Sequence, residues 1–408
     1  MRRPRRPLLL IGPLVLTLAA CGTARDGHTF RTFEEDGVVH AENTGGPKYE
    51  EDLFRLEKVL TLQEDPQNEE SLLVRPSVFY EGPDGRFYVM DGGAHRVAVF
   101  DASGDFVTSY GRPGQGPGEF TWMERMTLIG DEICVFDSQQ TRLTRLGLDG
   151  TILETLQPRV QGPVGVLQRL EDGRLFIREN RGSWGDTYLV HASTGYLMDE
   201  AGSDTLAVWT TRTHPTGQIR IDPNGMRGAY GMPFSTPAFL EYSAALGFLH
   251  VDGHVPEFEV YDDSGDLRMV VSTDLPQRPF DPMVADLYAQ YVERRSELLA
   301  REGRGPYKPP IEWQWPENAP YWTWPYVDPG GHVWLLDAVQ KDLRLPGEPY
   351  QTHVFAPSGE YLGTTPVPSY SNSIRSGRLC AVVPDLETGE LIPTVCRLVP
   401  KPESFVYP

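Results

Sequence analysis

Cysteine is scarce in this chain, with four in 408 residues, and no two stand at the C-x-x-C spacing of a zinc site. Basic charge is short as well. Thirty-seven Lys and Arg face 57 Asp and Glu, a net charge of −20, which argues against nucleic acid and against docking on anionic lipid surfaces. Beyond the first twenty residues no stretch is apolar enough to cross a bilayer as a helix. Gly-x-Ser-x-Gly, phosphate-cradling glycine loops and the HExxH helix are also missing. No catalytic residue, metal ligand or cofactor is predicted from motifs.

The N-terminus supplies the first positive signal. MRRPRRP is followed by the apolar run LLLIGPLVLTLAA and then Cys21. Positive charge before a short apolar core is a secretory signal, predicted to span residues 1–20. Its twin arginines lack the flanking pattern of twin-arginine export. Leu18-Ala19-Ala20-Cys21 resembles the lipobox of bacterial lipoproteins, which implies cleavage before Cys21 and acylation of that residue; several acyl chains hold a protein on a membrane where one does not. An ordinary cleaved signal with a coincidental cysteine is the alternative. Removal of residues 1–20 takes four arginines and no acid, so 33 basic and 57 acidic residues remain, a net charge of −24. Gly22, rather than aspartate, follows the cysteine, and the resemblance then implies the outer membrane, with the side the protein faces left open. Residues 21–49 read as the lipidated cysteine and a polar tether, whose flexible coil spans on the order of 30 Å. Val38–Asn43 is left open between tether and folded body.

From residue 50 to 408 the pattern is β: short runs of Val, Ile, Leu, Phe and Tyr between Gly, Asp, Ser and Pro clusters. One unit recurs in register. Phe87, Asp91, Arg96 and Gly104 return 46 residues later as Ile133, Asp137, Arg142 and Gly150. A shift of 161 residues brings Phe87, Asp91, Phe100 and Gly104 onto Phe248, Asp252, Tyr261 and Gly265. Repeats of this length made of strands indicate a blade array. A turn glycine is expected at Gly104, Gly150, Gly195, Gly265 and Gly359, because tight hairpins need positive φ. The aspartates Asp91, Asp137, Asp252 and Asp337, with Glu179 at the same place in the third unit, are read as caps for the following turn. A sixth unit, Arg378–Val399, lacks its outermost strand, and Phe54–Leu60 is a spare strand. The prediction is an all-β, six-bladed propeller closed by an N-terminal strand.

Between the fourth and fifth blades one insertion is expected, at about 281–326. Asp281 as N-cap, Pro282 in the first turn and Gly303 at the end delimit a helix with an apolar stripe that includes Val284, Leu287, Tyr288 and Tyr291. Gly111-Arg112-Pro113-Gly114-Gln115-Gly116-Pro117-Gly118-Glu119-Phe120 resembles the linker of NHL-type propeller repeats. Together with the lipobox, it makes the chain similar to six-bladed β-propeller lipoproteins of Gram-negative bacteria over roughly residues 38–400. The glycine-rich linker is not repeated in the later blades. The resemblance implies fold and cell-envelope location but no reaction.

One stretch is a candidate binding surface. Trp313, Trp315, Trp322 and Trp324 crowd a proline-rich stretch, where indole faces would stack on a glycan or an extended peptide; the alternative is that they pin the insertion to the rim. His250 to His254 is the densest histidine cluster; the pair belongs to a strand and turn and reads as surface rather than as a metal site. Cys380 and Cys396 flank a hairpin near 385–390 and are a candidate disulfide if register permits; Cys134 reads as an ordinary strand position. The leading functional reading is a lipid-anchored binding module for a ligand or envelope protein. An NHL- or lactonase-type hydrolase or lyase, using calcium or zinc in the channel, is the second, and a structural scaffold in an envelope assembly the third.

Overall fold

The computed structural model describes residues 27–407 except 66, 160–163, 185–187, 212–213, 222–226, 232–237, 339–348, 370–371, 386–389 and most of 281–314. The first blade shows why the sequence repeats. Its strands Pro76–Glu81, Phe87–Asp91, Arg96–Phe100 and Phe106–Tyr110 form one antiparallel sheet in chain order, from the channel outwards. The two middle strands are buried along their whole length, so they are apolar on both faces rather than alternating.

Successive side chains of a strand point to opposite faces, and each face meets a different neighbour. Phe87 and Val89 pack with Cys380, Val382 and Val395 of the last blade. Tyr88 and Met90 pack with Phe120, Met123 and Met126 of the second. The second blade (Met123–Ile129, Glu132–Asp137, Arg142–Gly147, Ile152–Leu156) meets the third through Cys134, Phe136, Leu167 and Ile177. Val166, Phe176, Leu240 and Phe248 join the third to the fourth. Trp322, Leu335, Val260 and Val271 join the fourth to the fifth, and Trp334, Leu336, Leu379 and Ala381 the fifth to the sixth. Six apolar wedges between six blades close a ring; the chain is a six-bladed β-propeller.

The sixth blade (Asn372–Arg375, Arg378–Pro384, Leu391–Pro400) receives Phe54–Thr61 as its outermost strand, antiparallel to Leu391–Pro400. The ring is therefore closed by backbone hydrogen bonds between the two ends of the chain. The N-terminal contribution begins earlier. Thr29–Glu35 and Val38–Thr44 form a hairpin whose second strand pairs in parallel with Leu267–Thr273, the outer strand of the fourth blade. The backbone then runs along the fifth blade, with Lys48, Tyr49 and Leu53 donating to the carbonyls of Tyr361, Leu362 and Thr364 at 2.9, 2.9 and 2.8 Å. Gln63 donates to Gly104 at 2.8 Å in the first blade. Residues 29–63 are thus a belt over four blades, and Val38–Asn43 belongs to the folded body.

The third blade departs from the repeat. Its strand Tyr188–Met198 is long and carries an extra hairpin, His214–Ile221 and Arg227–Gly231. Gly195 lies inside that strand, opposite Arg178 and Trp209, and is not a turn residue. Gly202, at φ 66°, occupies the turn instead. Elsewhere Gly104, Gly150, Gly265 and Gly359 have φ between 81° and 92° in their hairpins, a region that costs other residues strain. Between the fourth and fifth blades Met283, Asp286, Tyr288–Gln290 and Glu293 are helical, inside the predicted helix; its caps and most of its stripe lie outside the described residues. No described helix is long and apolar enough to cross a membrane.

Candidate functional site

In the first two blades the recurrent aspartates hold the linkers that enter the blade. Asp91 accepts from the amides of Arg75 at 2.9 Å and Val74 at 3.2 Å, and Asp137 from those of Thr121 at 2.6 Å and Trp122 at 3.2 Å. Asp252 accepts from the His254 amide at 3.1 Å. Arginine on the next strand completes the clasp: Arg96 donates to the Glu70 and Leu72 carbonyls at 2.7 and 2.6 Å, and Arg142 to that of Gln115 at 2.8 Å. Charged groups spent on backbone in this way are structural. The glycine-rich linker obeys the same logic. Arg112–Pro113 pairs in parallel with Glu119–Phe120, and Phe120 is fully buried. A side chain at Gly111 would sit 2.6 Å from the Phe120 ring, so only glycine fits there.

The four tryptophans do not make one binding face. Trp322 is fully buried between the fourth and fifth blades, edge-on to His353 and Phe355, because it opens the inner strand Trp322–Val327 of the fifth blade. Trp324 follows at a register shift between Thr323 and Pro325, half-buried against two of the apolar wedges. Trp315 stacks on Phe280 at 5.0 Å and meets Tyr288 edge-on at 5.8 Å, pinning the insertion to itself. Trp313 lies outside the described residues, as does Cys21.

Cys380 and Cys396 are free thiols. Cys380 pairs with Val395 and Cys396 with Leu379, so the two sulfurs project from opposite faces of the sixth blade and cannot bond. The expected disulfide is corrected accordingly. Burial pushes the Cys134 and Cys380 thiols up to about 12.

The pair of His250 and His254 spans a strand and a turn as read, with His254 in the turn after the strand that carries His250. His250 lies in the strand Gly247–Val251 and its Nδ1 is 2.8 Å from Glu259 Oε2, which also accepts from the Tyr261 hydroxyl at 2.8 Å. With Trp209, Thr211 and Asp252 these side chains line a cavity of about 320 Å³ between the third and fourth blades.

The central channel brings together what no sequence spacing announced. All six inner strands line one cavity of about 440 Å³, through Tyr80, Arg125, Gln168, Glu241, Tyr326 and Ser373. Glu241 accepts from Arg125 across the channel at 3.0 Å and from Arg178, on the second strand of the third blade, at 2.6 Å. Burial would raise the Glu241 carboxyl, but the two guanidinium charges outweigh it and hold it below the usual carboxylate range. Burial opposes the charge on Arg125, yet Glu241 raises its affinity for the proton above the ordinary value. The phenols are tied to the blade seams: Tyr80 donates to the Met126 carbonyl at 3.0 Å, and Tyr326 accepts from the Ile374 amide at 2.9 Å. Burial raises both. Ser373 donates to the Phe79 carbonyl at 2.6 Å. Among the described residues no three of His, Cys, Asp and Glu come together as ligands for a metal ion.

Comparison with known proteins agrees on the architecture. A family model described as a 6-bladed beta-propeller, DUF5128, matches residues 67–181, which are the first two blades and the start of the third. Among solved structures, a Bacteroides fragilis protein proposed to be exported is 12% identical, with 88% of this chain and 99% of that one covered at a TM-score of 0.50. A Bacteroides vulgatus member of the DUF4221 family is 13% identical over 86% of this chain and 99% of that one, at a TM-score of 0.47. A calcium-binding regucalcin from Agrobacterium tumefaciens is 13% identical over 86% and 97%, at 0.39. At 12% identity the likeness to the first of these is one of fold alone. No curated protein matches the sequence significantly.

Proposed function

We propose that this protein is a lipid-anchored propeller of the bacterial envelope that binds a small polar ligand in its central channel. The observation that carries the reading is the channel wall itself. Six strands from six blades deliver polar or charged side chains to one cavity of about 440 Å³, with Arg125 and Glu241 paired across it and Arg178 behind Glu241. Ionised groups are costly to keep out of bulk water, and a propeller can fill its axis with apolar side chains instead. A cavity of this size with few, converging polar groups is the usual form of a small-molecule site. The signal sequence and the lipobox at Leu18–Cys21 support the envelope and the anchor, with Gly22 in favour of the outer membrane.

The test is a thermal-shift screen of polar small molecules against the wild type and a Gln168→Trp variant, whose indole fills the channel. A ligand bound only by the native state must raise the melting temperature. Hits that vanish in Gln168→Trp support the reading. Hits that persist in it place the site elsewhere, with the His250 cavity next in line, and a screen without hits counts against a small-molecule role.

A further inference from the structure

We infer that the channel ligand is an anion, a carboxylate gripped by Arg125; this rests on the channel reading above and names its ligand class. Glu241 is shared by Arg125 and Arg178, so one carboxylate answers two guanidinium groups and the cluster carries one unit of positive charge in excess. Of the other charged groups that line the cavity, Arg375 offsets Glu171, and Asp328 is bound by His332, Trp334 and Tyr407, so the positive excess is local to the cluster. Glu81 is paired with Arg378 at 2.9 Å, and Arg169 with Glu154 at 3.1 Å. Donor capacity points the same way. A guanidinium has five N–H donors in a planar fork, and Arg125 spends one nitrogen, Nη1, on Glu241. Arg178 stands behind Glu241, outside the cavity lining, and directs its Nη1 to Glu241 and to the Leu240 carbonyl.

Unspent donors on a fixed, positively charged fork call for a ligand that brings paired acceptors and negative charge, which a carboxylate does in bidentate geometry. The net charge of the chain is −20 and opposes anions at long range. That field is screened beyond about 8 Å at physiological salt, whereas the cluster acts at contact distance inside the ring. Arg125 is free to be tested because Glu241 keeps Arg178 when Arg125 is removed, so its substitution leaves no carboxylate stranded.

The experiment uses the full-length protein in detergent, with benzoate and succinate as probes and benzamide and succinamide as their neutral counterparts at matched millimolar concentration. The acids are expected to raise the melting temperature and the amides are not. Arg125→Met should weaken acid binding by roughly 10- to 100-fold, the loss of one or two charge-assisted hydrogen bonds. Arg125→Lys should fall between, since it keeps charge but not the fork. Equal response to acids and amides, or no response to either acid, overturns the anion inference. If the amides bind and Gln168→Trp abolishes that binding, the channel remains the site and only its ligand class is wrong. Should Arg125→Met fail to fold, Glu241→Gln decides: it raises the excess charge while keeping both arginines, so weaker binding of the acids refutes the inference.

Discussion

The N-terminal belt makes a strong claim about stability, and Asn43 is where it can be tested. Asn43 is only 2% exposed and sits where the hairpin leaves the fourth blade. Its Nδ2 donates to the carbonyls of Ser272 at 3.1 Å and Gly359 at 2.9 Å, and its Oδ1 accepts from the Tyr361 amide at 2.7 Å. One side chain thus ties the fourth blade to the fifth. Asn43→Ala strands a buried amide, worth about 1–3 kcal/mol, and leaves two carbonyls short of a donor, for a total near 3 kcal/mol. Unfolding entropy of about 2.1 cal/mol/K per residue gives roughly 0.8 kcal/mol/K for the folded part of this chain. The expected loss is therefore about 4 °C in melting temperature, measured by calorimetry. Arg31→Ala is the control: it removes an exposed ion pair with Glu42 on the same hairpin, worth under about 1 kcal/mol. Amide exchange across residues 29–53 should accelerate in the first variant only. If Asn43→Ala shifts melting no further than Arg31→Ala, the belt is an ornament on the rim and the reasoning fails.

Acid should act through Asp337. Burial opposes its ionisation, but a hydrogen bond with His353 and the charge of Arg278, 2.7 Å away, hold its carboxyl down to about 2. A depressed carboxylate contributes stability above its unfolded value near 4 and loses it as pH falls toward 2. The contribution is about 2 kcal/mol, so Asp337→Asn should be destabilised at neutral pH and show a flatter stability profile between pH 4 and 2. Thiol titration should find Cys134, Cys380 and Cys396 unreactive in the native protein at pH 8 and all three free on unfolding; a disulfide in the non-reduced chain would contradict the strand register. Cys21→Ala should move the protein from the membrane fraction to the soluble one in fractionated cells, and retention on the membrane would remove the lipid anchor from the proposal.

The ring was legible wherever local chemistry repeats. Strands buried on both faces must be apolar throughout, hairpins of one length must place a positive-φ residue at one position, and linkers of one shape must find a carboxylate for their amides. Phe54–Leu60 stood out as a strand without a sheet, and it closes the sixth blade as Phe54–Thr61. Reading failed where one of these constraints lapses. Gly195 was expected in a turn because the repeat was extrapolated into the third blade, whose strand instead continues to Met198. The hairpin Thr29–Thr44 lies on an outer edge, where little of either face is buried, so it has the composition of a tether. Trp322 looked available because tryptophans in a proline-rich run suggest a surface, yet the inner strand of a blade starts there. Arg125 and Glu241 are 116 residues apart. Their meeting depends on blade number and strand register together, and no motif spacing encodes that.

The position of the charged cluster also separates binding from closure. Arg125, Arg178 and Glu241 belong to the second, third and fourth blades, with Glu241 on an inner strand, while Asn43 ties the belt to the outer edges of the fourth and fifth blades. Asn43 touches the outer strand of the fourth blade and Glu241 stands on its inner strand, so strain at the belt must pass through the packed width of that blade to move the cluster. Densely packed interiors resist such displacement. Loosening the belt should therefore cost stability without cost to the site: Asn43→Ala should melt lower while binding benzoate as tightly as the wild type. Arg125→Met should do the reverse, losing the ligand with a smaller effect on melting, since Glu241 retains Arg178. If weakening the belt also weakens the acid, the ring behaves as one elastic unit, and the affinity of the channel is set by closure as well as by the residues that line it.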